Sequence, residues 1–274
     1  MKLASGGLVL SDAEQVDEKV VRKALQKLVQ YEKESRILRK DEEEYRVMEE
    51  VFNRPTLFTL YHLLNAGVLK YLNGVVAAGK EARVYWGVTA DEGDVAVKIY
   101  LTVTAEFRRR LKYITGDPRF SRVSKDFSKL VELWARKEFR NLQEAFEAQV
   151  PVPKPLEVKN NVLVMEFIGT QGKPAPLLAE VPVRPFDYRR IISLVKRLYI
   201  EARLVHADLS QFNIFKRNNS LVLFDMGSAV EVSHPMAGQF LLRDISNINN
   251  FFSKHGVKVR PLEEVLSEVT DGEL

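Results

Sequence analysis

The chain has 274 residues, 46% of them hydrophobic and 28% charged, a length and balance that suit a soluble protein with a full buried core. It contains no cysteine, which excludes disulfides, thiolate catalysis and cysteine-ligated zinc, and its four histidines (His62, His206, His234, His255) show no metal-binding spacing. A formal charge of +4 is too mild to imply a nucleic-acid partner by itself, and without a signal-peptide core or a run of about eighteen apolar residues a cytoplasmic, non-membrane protein is expected.

Residues 11–50 carry dense charge of both signs, with Val20, Val21, Leu25 and Leu28 at helical spacing behind the cap candidates Ser11 and Asp12. A solvated helical extension is expected there. Leu57, Leu60, Leu63 and Leu64 continue a helical pattern over 56–72, closed by Asn65-Ala66-Gly67. The texture changes at Gly74. Two β-branched runs, Arg83–Val88 and Asp94–Tyr100, flank the turn Ala90-Asp91-Glu92-Gly93 and predict an antiparallel hairpin.

Residues 124–148 have the apolar spacing of a long amphipathic helix, and Val162–Met165 reads as a buried strand. Between them, Pro151, Pro153 and Pro155 force an extended segment. Pro174–Pro185 reads as a loop, followed by helical patterns at 187–202, 236–254 and 261–269 and short strands near Asn213 and Asp225. This order predicts an α+β protein: a helical extension (1–73), a β-rich lobe (74–168) with a basic insertion (101–125), and an α-rich lobe (169–274).

The chemistry centres on His206-Ala207-Asp208-Leu209-Ser210-Gln211-Phe212-Asn213, a loop between a helix and a short strand, with a second strand delivering Asp225 twelve residues later. Phosphoryl transfer needs a carboxylate for the acceptor, oxygen ligands for magnesium and cations for the phosphates. Asp208 suits the first role. Asn213 and Asp225 suit the second, because hard oxygen donors match magnesium while ATP supplies the remaining ligands. Lys98 ends an otherwise apolar strand, where a solvated lysine is out of place, and is read as the phosphate-pairing lysine. Its carboxylate partner is expected on the long helix, with Glu138 preferred and Glu132 and Glu144 as competitors.

The phosphate loop falls at Gly79-Lys80-Glu81-Ala82. It lacks the full glycine set, so Lys80 either supplies part of the missing attraction or is an exposed turn lysine. Met165-Glu166-Phe167-Ile168-Gly169 links the lobes, its backbone facing adenine and Met165 the base.

Taken together, Gly79–Ala82 with Val84-Tyr85, Ala96-Val97-Lys98-Ile99-Tyr100, Lys137-Glu138-Phe139-Arg140-Asn141-Leu142, Val164–Gly169, Leu204–Ser210 with Asn213, and Asp225-Met226-Gly227 running to His234-Pro235 resemble the RIO family of atypical serine protein kinases, in its archaeal Rio1-type form. The resemblance implies a two-lobed protein-kinase-like fold preceded by N-terminal helices, with ATP and magnesium or manganese as cofactors. It also implies serine autophosphorylation, a role in maturation of the small ribosomal subunit, and an aspartate at Asp225 able to accept phosphate in an ATPase cycle. A small-molecule kinase of the aminoglycoside or choline type shares the Asp208/Asn213 logic, and a nucleotide-binding assembly factor with little catalysis is a third reading.

Three departures matter. Ala77-Ala78 stand where the family commonly has serine or threonine. Ala207 replaces the arginine of ordinary kinases, so control by an activation-loop phosphate is not expected. No A-P-E sequence follows Asp225, so a peptide-binding platform is missing. The insertion carries Arg108, Arg109, Arg110, Lys112, Arg119, Arg122 and Lys125 interleaved with Phe107, Tyr113 and Phe120. It reads either as a footprint for ribosomal RNA or as a solvated loop, with Ser121 and Ser124 as autophosphorylation candidates.

Overall fold

A computed structural model describes residues 51–101, 110–120, 126–217 and 219–272. The helical extension over 11–50, Phe107, Arg108, Arg109, Ser121, Arg122, Ser124 and Lys125 lie outside the described residues. Helix α1 (Arg54–Asn65) opens on Asn53, whose side chain accepts the Thr56 N–H, with Pro55 in its first turn. It stops before Gly67, whose φ of +73° suits glycine.

Five strands follow: β1 (Tyr71–Ala78), β2 (Ala82–Val88), β3 (Asp94–Tyr100), β4 (Pro155–Lys159) and β5 (Val162–Glu166), in the antiparallel order β1-β2-β3-β5-β4. The hairpin at 90–93 forms as expected, with Val84 opposite Lys98. The first strand begins at Tyr71 rather than after Gly74. Gly74 sits where the β1–β2 register shifts, so the glycine marks a bulge inside the strand and not its boundary.

The period of two along β3 decides what each residue meets. Val95, Val97 and Ile99 join Leu60 and Leu63 of α1 in one core, so the last helix of the extension shares its interior with the sheet. Ala96 and Tyr100 join the second core, against helix α2 (Phe127–Glu147). Lys98 has the parity of Ala96 and Tyr100, which directs it toward α2. On β5 the same rule sends Leu163 and Met165 to that side.

A hinge at Phe167 and Ile168 leads to the two-residue strands β6 (Gly169–Thr170) and β7 (Lys173–Pro174), then helix α3 (Pro185–Ile200). Strand β8 (Leu204–Val205) precedes the polar loop, and β9 (Ile214–Arg217) with β10 (Ser220–Leu223) forms the hairpin after it. Strand β11 (Val230–Glu231) pairs with β8, and helices α4 (Ala237–Lys254) and α5 (Leu262–Val269) finish the α-rich lobe. The architecture is the expected α+β, two-lobed arrangement. Among the described residues no helix is long and apolar enough to cross a membrane.

Candidate active site

Three polar residues interrupt the buried stripe of α2: Lys137, Glu138 and Asn141. Glu138 meets Lys98, while Lys137 and Asn141 meet the turn after Asp225. Glu138, 1% exposed, accepts two bonds from Lys98 Nζ, at 2.9 and 2.8 Å, and one from the Tyr100 hydroxyl. Of the three glutamates left open by spacing, Glu138 is therefore the partner of Lys98. Glu144, by contrast, faces Arg119 and Arg140.

Lys98 also donates to Asp225 Oδ1 at 2.7 Å. Burial pulls the ammonium pKa down, but Asp225 and Glu138 outweigh it and hold Lys98 well above its ordinary value. Reciprocally, the Lys98 charge holds the Asp225 carboxyl below the usual carboxylate range against the opposing effect of burial. Asp225 follows β10 in the left-handed region, φ +59° and ψ +54°, a conformation that aspartate tolerates better than most residues.

The turn after Asp225 is gripped from α2. Asn141 Nδ2 donates to the Met226 and Ala229 carbonyls at 2.7 and 2.9 Å, and Lys137 Nζ donates to those of Gly227 and Ala229. One helix thus positions Lys98, through Glu138, and the Asp225 turn.

The loop from His206 to Asn213 is pinned from α4. Ala207 has a φ of +64°, a conformation that costs a non-glycine residue about 1–2 kcal/mol. Asp244 offsets that cost by accepting the Ala207 N–H at 2.7 Å and the Leu209 N–H at 2.9 Å; Arg243 donates to the Ala207 carbonyl and Asn247 to that of Leu209. Burial pushes the Asp244 carboxyl up to about 6, against the lowering effects of His206, the two backbone bonds and Arg243. His206 Nε2 lies 3.0 Å from the Phe224 carbonyl, joining the loop to the strand that delivers Asp225. Asp208 is exposed, and Asn213 Nδ2 donates to its carbonyl at 2.7 Å, which turns the Asn213 amide oxygen away from that bond. The Asn213 amide oxygen and the Asp225 carboxylate are hard oxygen donors, the donor type that fits magnesium.

At the hinge, Met165 is buried opposite Ala96 while Glu166 is exposed. The Glu166 N–H is taken by the Lys154 carbonyl and the Ile168 carbonyl by the Ala175 N–H. Lys80 is exposed at the turn between β1 and β2.

The described part of the basic insertion departs from the solvated-loop expectation, while Arg108, Arg109, Arg122 and Lys125 of the RNA reading lie outside the described residues. Arg119 is paired with Asp117 and Glu144, and Arg110 with Glu81. Tyr113 is buried against Trp134 and Phe240, and His234 Nε2 lies 2.9 Å from the Thr115 carbonyl. Residues 110–120 are packed into the protein, and their aromatic residues and two arginines are engaged there. Asp244, Lys137, Asn141 and Arg110 were not singled out as site residues from sequence. An acid on the apolar face of α4 was the one available signal for Asp244; the others depend on contacts distant in sequence.

Comparison with known proteins places this geometry among relatives. The family model for the RIO domain matches residues 83–265. Serine/threonine-protein kinase RIO1 of Homo sapiens is 38% identical over 93% of this chain, and RIO-type serine/threonine-protein kinase Rio1 of Haloferax volcanii is 41% identical over 81%. The chain spans 46% of the human protein, about half its length, and 77% of the archaeal one. In fold it is similar to the Rio2 kinase of Chaetomium thermophilum, solved as an ADP/Mg2+-phosphoaspartate complex: TM-score 0.64, 17% identity, covering 95% of this chain and 87% of that one.

Proposed function

The chain belongs to the RIO domain family, and we propose that it is an ATP-dependent, magnesium-requiring serine protein kinase with ATPase capacity. The observation that carries this reading is the convergence of Lys98, Glu138 and Asp225 from three distant segments, beside a loop that presents Asp208 and Asn213. Lys98 would hold the α- and β-phosphates, oriented by Glu138. Asn213 and Asp225 would hold magnesium, which when bound neutralises charge developing on the transferred group. The Glu166 carbonyl and the Ile168 N–H would take the adenine edge, with Met165 against the base.

Asp208 would align a serine hydroxyl and take its proton as the serine oxygen bonds the γ-phosphorus, the bond from that phosphorus to the bridging oxygen breaks and ADP leaves. Transferring the acceptor of the Chaetomium complex to this chain, an Asp225 carboxylate oxygen would take the γ-phosphoryl group instead as ADP leaves, and water would then release inorganic phosphate and restore the carboxylate, completing ATP hydrolysis. Loss of the Ala207 arginine and of a peptide platform supports action on the protein itself or on a bound particle. The family resemblance supports the pre-ribosomal small subunit and its RNA as that particle, in the cytoplasm. Manganese would replace magnesium at the same oxygen donors.

The test is incubation with ATP labelled at the γ-phosphate, alone and with small ribosomal subunits, against Asp208→Ala. Label on the protein or released phosphate that disappears in the variant is the expected result. Turnover appearing only with an added aminoglycoside or choline would transfer the protein to the small-molecule kinases. Tight ATP binding without turnover would make it a binding factor.

A further inference from the structure

We propose that Arg110 is a third phosphate-binding cation of the nucleotide site, one that contacts the γ-phosphoryl group and sets a preference for ATP over ADP. The inference rests on the nucleotide-binding reading above and goes beyond it by assigning an unassigned residue. Arg110 belongs to the basic insertion, yet its guanidinium spans the two sides of the cleft. Its Nε donates to Glu81 Oε1 at 2.8 Å, next to Lys80 in the phosphate-loop turn. Its Nη1 donates to Ser228 Oγ at 2.7 Å, three residues after Asp225. The plane lies over Trp134, 5.5 Å from the ring, and near Tyr113 at 6.0 Å, which fixes its orientation.

These contacts use Nε and Nη1. Among the described residues Nη2 has no hydrogen-bond partner, so a guanidinium fork with spare donors is held between the phosphate loop and the metal-binding turn. Burial pulls the Arg110 pKa down, but Glu81 chiefly, with Asp225 and Asp208, outweighs it and holds the guanidinium charged.

Two other cations near the site are engaged elsewhere. Lys98 is bonded to both Glu138 oxygens and to Asp225, Arg243 is turned to the Ala207 carbonyl, and Ala207 stands where ordinary kinases have an arginine. A fork matches the planar array of phosphate oxygens better than an ammonium does, so Arg110→Lys should not replace it fully.

The experiment is calorimetric titration of the full chain with AMP-PNP and with ADP, each in magnesium, for wild type, Arg110→Gln and Arg110→Lys. The wild type should prefer AMP-PNP. Arg110→Gln should lose about tenfold or more in AMP-PNP affinity while ADP affinity changes little, and Arg110→Lys should fall between. Equal weakening of both nucleotides in Arg110→Gln, or equal affinities in the wild type, would overturn the assignment and leave Arg110 as a strut between Glu81 and Ser228. If Arg110→Gln does not melt cooperatively, Arg110→Lys decides by the same ratio. A wild type that binds neither nucleotide fails the functional reading instead, a distinct result.

Discussion

Lys98, in strand β3, and Asp225, on the turn after β10 in the other lobe, meet at 2.7 Å, and the same ammonium is held by both oxygens of Glu138. Glu138 is 1% exposed and the Lys98 side chain 11%, so removing the lysine strands a buried carboxylate. Lys98→Met should destabilise the protein by about 3–5 kcal/mol, and Lys98→Met/Glu138→Gln should recover part of that loss. Phosphoryl transfer should fall about a hundredfold to a thousandfold in both variants. Urea unfolding and labelled-ATP turnover measure the two effects. Because Lys98 lowers the Asp225 pKa, the stabilisation from Asp225 is present above its unfolded value near 4 and lost as pH falls below it. The gap between wild type and Lys98→Met should therefore narrow in acid.

Gly227 lies under the pair. A β-carbon there would stand 3.0 Å from Trp134 Nε1 and 3.1 Å from Glu138 Oε2, closer than either neighbour tolerates without moving. Gly227→Ala should cost about 1–3 kcal/mol of stability by overpacking. Its larger effect should be on turnover, since the displaced group orients Lys98. A melting curve combined with ATP hydrolysis rates separates the two; turnover equal to wild type would show that Glu138 moves without consequence.

The Asp244 carboxyl, with a pKa near 6, carries the backbone of the loop that bears Asp208. As pH falls through about 6 it gains a proton and loses acceptor capacity, so activity should decline on that limb. Stability should move the other way. A carboxyl whose folded pKa is raised favours the fold most below its unfolded value near 4, and that contribution is lost as pH rises through about 6. Asp244→Asn should abolish both dependences and lower turnover at neutral pH. Activity profiles and melting temperatures from pH 5 to 8 test this.

Lys137 is fully buried beneath the same turn, and burial lowers its pKa to about 7, aided by Arg119 and opposed chiefly by Asp117. Between about pH 7 and 10 the unfolded chain binds the extra proton, so wild-type stability should rise with pH through that window. Lys137→Met removes the titration and should flatten this part of the curve relative to wild type. It also leaves the Gly227 carbonyl without its side-chain donor, which should cost about 1–3 kcal/mol at pH 9. Chemical denaturation at pH 7 and 9.5 reads both quantities.

Much of the fold was legible because its signals are local. The hairpin around Ala90–Gly93, the helix over 127–147 and the helices after Pro185 each announce themselves by period, cap or breaker within a dozen residues. Gly74 misled because a glycine in a strand and a glycine before one look alike in sequence; only pairing with β2 distinguishes a bulge. The insertion shows a different gap. Arg110, Tyr113 and Arg119 have the composition of a surface that grips RNA, and nothing local reveals that Glu81, Trp134 and Glu144 are waiting for them.

The sequence alone determined which chemical groups were present and on which kind of element each sat: Asp208 and Asn213 on a loop, Asp225 after a strand, Lys98 within one. Period and punctuation are properties of neighbouring residues. The tertiary structure alone decided which carboxylate holds Lys98, which acid carries the strained Ala207 loop, and where Arg110 and Arg119 point. Those are pairings between segments distant in the chain, fixed by which faces are buried together, and no local pattern encodes them.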